Sequence, residues 1–159
     1  MKFRRRSPLA SAFVSLALLL AAQAFAQSPA PGVTTLATPH AFDALVDRLG
    51  RSIEANKMGL VAQASASRGA AARGVKIPGN AVLMVFRNDL AVRMLAASVP
   101  AGIEAPLRIY VTEGPDGKAS LTWQSPSAVF APYGGADLMA LARELDPIIE
   151  RIVRDAAAR

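Results

Sequence analysis

The chain of 159 residues contains no cysteine and one histidine, His40. Without thiols it has no disulfide, no covalent c-type haem attachment, no thiolate nucleophile and no cysteine zinc site. A single histidine also excludes a two-histidine metal centre within one chain. Aromatic residues make up 6 % and charged residues 19 %, and no aromatic–basic alternation of the kind that tracks nucleic acid is present. Gly-rich phosphate loops, a Gly-x-Ser-x-Gly elbow and calcium-loop spacing are all missing. Carboxylates such as Glu104, Glu113 and Asp116 fall in or near turns, with no spacing that marks a general acid/base pair. The expectation is therefore no catalytic residue, no metal and no cofactor.

One long apolar run is present, at the N-terminus. Lys2, Arg4, Arg5 and Arg6 precede "LASAFVSLALLLAA", and Ala24-Phe25-Ala26 offers small residues at the −3 and −1 positions. That layout is a secretory signal peptide over residues 1–26; the run is shorter than the ~20 residues of a spanning helix. The expected location is periplasmic or secreted, with no membrane association after cleavage at Gln27. Removing residues 1–26 leaves 133 residues and takes away four of the 18 basic side chains against 12 acidic ones. The remaining excess is two positive charges, so the basic pI carries no nucleic-acid role. The length suits one domain stabilised by packing.

Residues 27–33 read as a Pro/Gly/Ser linker, and 34–157 as a single α+β domain. "VTTLAT" is a short strand, followed by a helix that the sequence places at Thr38 (N-cap) and Pro39 (first position). Phe42, Leu45, Val46, Leu49 and Ile53 give it an apolar face. Residues 60–66 alternate as a second strand, "GAAARG" (69–74) is a helical turn, and "AVLMVF" (81–86) is an apolar strand expected at the centre of a sheet. Arg87-Asn88-Asp89 then opens a helix over 90–98. Segments 107–113 and 118–124 alternate on either side of "GPDG", a hairpin that puts Leu107, Ile109 and Val111 on one face with Leu121 and Trp123. A last helix begins near Asp137. Pro147 predicts a kink, or a restart capped by Asp146. The order β-α-β-β-α-β-β-α implies a mostly antiparallel sheet with helices packed on one face.

Four residues stand out as binding candidates: Arg87, Asn88, Trp123 and Tyr133. Arg87-Asn88-Asp89 is read first as a helix cap, with Asn88 satisfying free N–H groups; an anion at that helix N-terminus, helped by Arg87, is the competing reading. Trp123 and Tyr133 either pack on the domain or line a pocket with Tyr110. Met84 and Met94 read as core and Met139 as helix packing rather than as haem ligands. His40 falls in the expected first helical turn, where a solvated surface role outweighs that of a base beside a serine.

The order of these pieces resembles the domain of unknown function 302 family over roughly residues 34–153. The resemblance rests on Phe86-Arg87-Asn88, Gly102-Ile103, Pro106-Leu107, the Glu113–Gly117 turn and Ser125-Pro126 taken together. It implies a TATA-binding-protein-like α+β fold, frequently a homodimer, and no established activity. Where the family commonly has Phe-Gly-Asn-Pro, this chain has Arg87 for the glycine and Asp89 for the proline. Ser67 and Tyr133-Gly134 stand near where many members have histidines, so a histidine-dependent metal or haem role does not carry over. The sequence thus points to an exported non-catalytic domain that binds a small molecule or a protein partner. A small metal-independent hydrolase or isomerase using a carboxylate or Arg87/Asn88 site is the alternative from another class, and a purely structural dimer is a third.

Overall fold

The hairpin at the middle of the chain organises the rest. Strands β4 (Leu107–Glu113) and β5 (Lys118–Gln124) pair with Ile109 opposite Trp123 and Val111 opposite Leu121, the expected shared face. Gly117 closes the turn at φ +74, a conformation glycine adopts without a steric penalty, and Asp116 accepts the Lys118 N–H at 3.0 Å. Strand β3 (Asn80–Phe86) flanks β4, β2 (Gly59–Ala64) flanks β3, and β1 (Val33–Ala41) flanks β5. The sheet order is β1-β5-β4-β3-β2, antiparallel throughout. "AVLMVF" is therefore interior, but β4 holds the middle. The computed structural model describes residues 30–159; the expected signal peptide (1–26) and the start of the linker lie outside the described residues.

Helices α1 (Phe42–Ala55) and α5 (Ala136–Ala157) pack on one face of this sheet. Leu45, Leu49 and Ile53 from α1 meet Leu138, Ile149 and Ile152 from α5 over Leu83, Ile109, Val111 and Leu121 of the sheet, all of them buried. The strand residues of opposite parity, such as Arg108 and Tyr110, stay exposed on the far face. The α+β class with helices on one face follows from these two periodicities, 3.6 in the helices and 2 in the strands. Three shorter helices complete the chain: α2 (Ala66–Ala71), α3 (Asn88–Ala97) and α4 (Pro126–Phe130). Two 3₁₀ turns lie at Pro100–Glu104 and Ala131–Tyr133. Among the described residues no helix is long and apolar enough to cross a membrane.

Three local features differ from what the sequence suggests. The first helix does not start at Thr38: β1 runs on to Ala41, and Phe42 opens α1. Thr38 is buried and its hydroxyl donates to the Ala119 carbonyl at 2.7 Å, which ties the end of an edge strand to its neighbour. Pro39 sits where the β1–β5 register shifts, a place where a missing N–H costs the ladder little. His40 consequently lies in a strand, with Nε2 2.8 Å from the Ala158 carbonyl. Arg48 donates to the carbonyls of Ala156 and Ala158 at 2.7 and 2.6 Å, so the free C-terminal carbonyls of α5 are met by side chains of β1 and α1.

The second correction concerns the restart at Pro147, since α5 runs through that residue as one helix. Proline is exposed there, and the apolar stripe on the buried side of the same helix offsets a penalty of ~3 kcal/mol. Asp146 does not cap a restart; it accepts the Ser127 N–H at 2.9 Å and so anchors α4 against α5. The third is α4, a helix with no signature in the sequence. Its five residues carry too short a period to register, yet Phe130 is buried in the core. The helical turn read at 69–74 forms slightly earlier, as α2, because the Ser65 hydroxyl accepts the Arg68 N–H at 3.2 Å and caps it.

Candidate functional site

A groove of about 180 Å³ opens where β4 begins and β5 ends, lined by Val33, Glu104, Leu107, Arg108, Thr122, Trp123, Gln124 and Val129. Each wall has a local cause. The 3₁₀ turn Pro100–Glu104 delivers Glu104, and Arg108 follows four residues later on β4 with its Nη2 3.5 Å from Glu104 Oε2. The second 3₁₀ turn delivers Tyr133, which Gly134 (φ +63) and Gly135 (φ +85) end abruptly; both glycines occupy a region that other residues rarely adopt. Tyr133 Oη donates to Glu104 Oε1 at 2.8 Å. Glu104 thus accepts from a phenol on one oxygen and faces a guanidinium on the other, a charge-assisted arrangement.

The hydrogen bond to Glu104 holds the Tyr133 phenol above its usual pKa of 10.0, with desolvation acting in the same direction. A phenol so held keeps its proton and serves as a donor. Opposite, the Thr122 hydroxyl meets that of Thr35 at 2.9 Å, and Gln124 donates to the Pro31 carbonyl at 2.9 Å. These bonds fix two polar walls in place. Trp123, Val33, Leu107 and Val129 supply the apolar body of the groove, with Trp123 half-buried against the core.

A second space lies under α3, lined by Met58, Val85, Phe86, Leu90, Met94, Leu107 and Phe130 among others, with about 30 Å³ inside. That volume holds a water or two, and apart from Arg87 at its edge the lining is apolar, so it is a packing gap rather than a ligand site. Among the described residues no group of three His, Asp or Glu side chains comes together as a metal site would require.

The model of the family described as "Domain of unknown function DUF302" matches residues 34–156. The chain belongs to the DUF302 family. Its fold is similar to the crystal structure of an uncharacterized conserved DUF302 protein from Bacillus stearothermophilus, with a TM-score of 0.71 and 17 % identity. The similarity covers 81 % of this chain and 100 % of that one. No curated protein matches the sequence.

Within this DUF302 chain the four sequence candidates separate into two groups. Trp123 lines the groove and Tyr133 reaches it through Glu104. Tyr110 is outside the lining, exposed on the far face of β4. Arg87 and Asn88 stand apart from this groove, at the start of α3, where Arg87 borders the small gap under that helix. Arg87 occupies the N-cap position, and its side chain makes no capping hydrogen bond. Asn88 is one residue too far along to cap, so the expected cap is corrected. Arg87 Nε instead donates to Asp89 Oδ1 at 2.8 Å, and this bond holds the Asp89 carboxyl below its usual 3.8. Of the turn carboxylates, Glu113 accepts the Gly79 N–H at 2.7 Å and Asp116 the Lys118 N–H, so both stabilise backbone. Glu104 is the residue whose part sequence reasoning missed. Its only local signal is the spacing to Arg108; its bond to Tyr133 spans 29 positions and no periodicity reports that.

Proposed function

We propose that this DUF302 protein is exported and acts as a non-catalytic binding domain, holding a small amphipathic molecule in the groove between the β4–β5 ends and the Pro100–Glu104 turn. The observation that carries the reading is the convergence of Trp123 with the Glu104–Arg108–Tyr133 cluster, an apolar wall beside a few fixed polar groups. The apolar body of the ligand lies along Trp123, Leu107 and Val129, and its polar end meets Arg108, whose side chain is 61 % exposed. Export is supported by the signal-peptide layout of residues 1–26, and the location is periplasmic or secreted.

Binding is favoured over turnover by how the cluster is committed. Glu104 is engaged on both oxygens, and Tyr133 is held in its protonated form. A general base needs a carboxylate free to take a proton, and this one is occupied. The hydrolase or isomerase alternative therefore has less support than a binding role.

Trp123 is the only tryptophan, so its emission reports directly on the groove. Protein recovered from the envelope of producing cells is compared before and after unfolding and refolding to strip bound molecules. A shift in Trp123 emission on stripping, reversed by adding back the extract, supports the reading; identical spectra count against it. Intact-mass measurement on the same preparation is expected to show a chain starting at Gln27, and a chain retaining residues 1–26 contradicts the export part.

A further inference from the structure

We infer that the molecule proposed to lie beside Trp123 is a monoanion, one carboxylate on a compact apolar body, and that Arg108 selects its charge; the inference rests on that groove being the binding site. Arg108 is the only cation among the residues that line the groove, and Glu104 the only anion. Glu104 has little to offer a ligand. One of its oxygens accepts from Tyr133 Oη at 2.8 Å, the other faces Arg108, and its side chain is 25 % exposed. Arg108 is the reverse case. Its side chain is 61 % exposed, and among the described residues the guanidinium has one partner, Glu104 Oε2, 3.5 Å from Nη2. That distance is at the outer limit of a hydrogen bond. A guanidinium carries five N–H donors in a planar fork, so most of the capacity of this one is unspent.

The rest of the groove narrows the head group. Met84, the partner of Arg108 across β3 and β4, is apolar and brings no competing charge. Thr122 and Thr35 share one hydrogen bond of 2.9 Å. A hydroxyl that accepts from its neighbour keeps its own hydrogen to donate, so Thr122 can give a ligand oxygen a bond alongside the guanidinium. A carboxylate takes two parallel bonds from the fork, and such charge-assisted bonds are about twice as strong as those to a neutral amide or hydroxyl. A dianion such as a phosphate monoester leaves its second charge unmatched, because no second cation lines the groove. An ammonium head meets the like charge of Arg108 with no disengaged carboxylate to offset it. Trp123, Leu107 and Val129 then cover the apolar body.

Three probes that share a phenyl body and differ in the head test this: phenylacetate, phenylacetamide and phenethylamine. Each is titrated into protein recovered from producing cells and stripped of bound molecules, with Trp123 emission as the readout. Phenylacetate is expected to bind about tenfold more tightly than phenylacetamide, and phenethylamine more weakly than either. Arg108→Gln is expected to abolish the preference for the acid while affinity for the amide and the melting temperature stay as in the parent, since the side chain is exposed. Arg108→Lys, which keeps the charge and loses the fork, retains part of the preference. Equal affinity for acid and amide, a preference for the amine, or an acid preference that survives Arg108→Gln overturns the inference and leaves the groove a binding site. Binding of none of the three overturns it as well, and native mass spectrometry of the unstripped protein then separates the two readings. An adduct lost in Val129→Trp keeps the groove as a site for a different ligand, whereas a bare chain removes both.

Discussion

Gly79→Ala adds one methyl group at a position with no room for it. Gly79 is buried, and an ideal Cβ there lies 2.5 Å from Phe42 Cγ, 2.7 Å from Cδ1 and 2.9 Å from Cδ2. Relief by moving the backbone is blocked on both sides, because the Gly79 N–H donates to Glu113 Oε2 at 2.7 Å and the Gly79 carbonyl accepts the Glu113 N–H at 2.8 Å. The Phe42 ring must move instead, and its own position at the start of α1 packs into the core. Forcing extra volume into a packed site costs about 1–3 kcal/mol. For a domain of this size that lowers the melting temperature by roughly 4–12 °C. The assay is thermal melting of Gly79→Ala in the parent and in a Phe42→Leu background. The penalty is expected to shrink when the ring is gone, giving a coupling of ~0.5–3 kcal/mol. An unchanged melting temperature in the single variant, or an equal penalty in both backgrounds, refutes the clash argument.

Three further outcomes follow from contacts already described. Asn88→Ala is expected to change stability by less than about 0.5 kcal/mol, as for a surface substitution, because Asn88 makes no capping bond; a loss of ~1 kcal/mol or more in chemical denaturation restores the capping role. Ser52→Ala removes a buried hydroxyl that donates to the Ile152 carbonyl at 2.8 Å between α1 and α5, and denaturation should register a loss of about 0.5–1.5 kcal/mol. The Glu144 carboxyl is held below its usual 4.5 by its hydrogen bonds from Arg93. Its contribution is therefore present above that value and is lost as pH falls through the lower folded one. The difference in melting temperature between parent and Glu144→Gln should accordingly narrow as pH drops below 4.5, and a gap that stays constant at low salt contradicts the pairing.

The parts of the fold that the sequence makes legible are those with sustained periodicity. The 107–113 and 118–124 hairpin has the expected ends and register because both strands alternate and "GPDG" admits one turn. Helices α1 and α5 were readable from their apolar stripes. What failed were local signals that tertiary contacts override. Thr38-Pro39 has the look of a helix start, but the buried bond from Thr38 to Ala119 holds the segment in the sheet. Pro147 has the look of a break, but the core contacts of Leu145 and Ile149 carry α5 past it. The candidate groove is half legible: Trp123 and Tyr133 stand out as aromatics in a chain with few of them. The Glu104–Tyr133 bond that makes them part of one arrangement depends on two 3₁₀ turns, and neither has a sequence period long enough to read.

The central claim is that the groove beside Trp123 holds a small amphipathic molecule, and native mass spectrometry of the protein recovered from producing cells tests it most directly. The account predicts a species heavier than the chain by the mass of one small organic molecule. That species should be lost when Val129→Trp fills the groove and kept in Asn88→Ala, which lies outside it. A spectrum of the bare chain in the parent protein, or an adduct that Val129→Trp leaves in place, contradicts the claim.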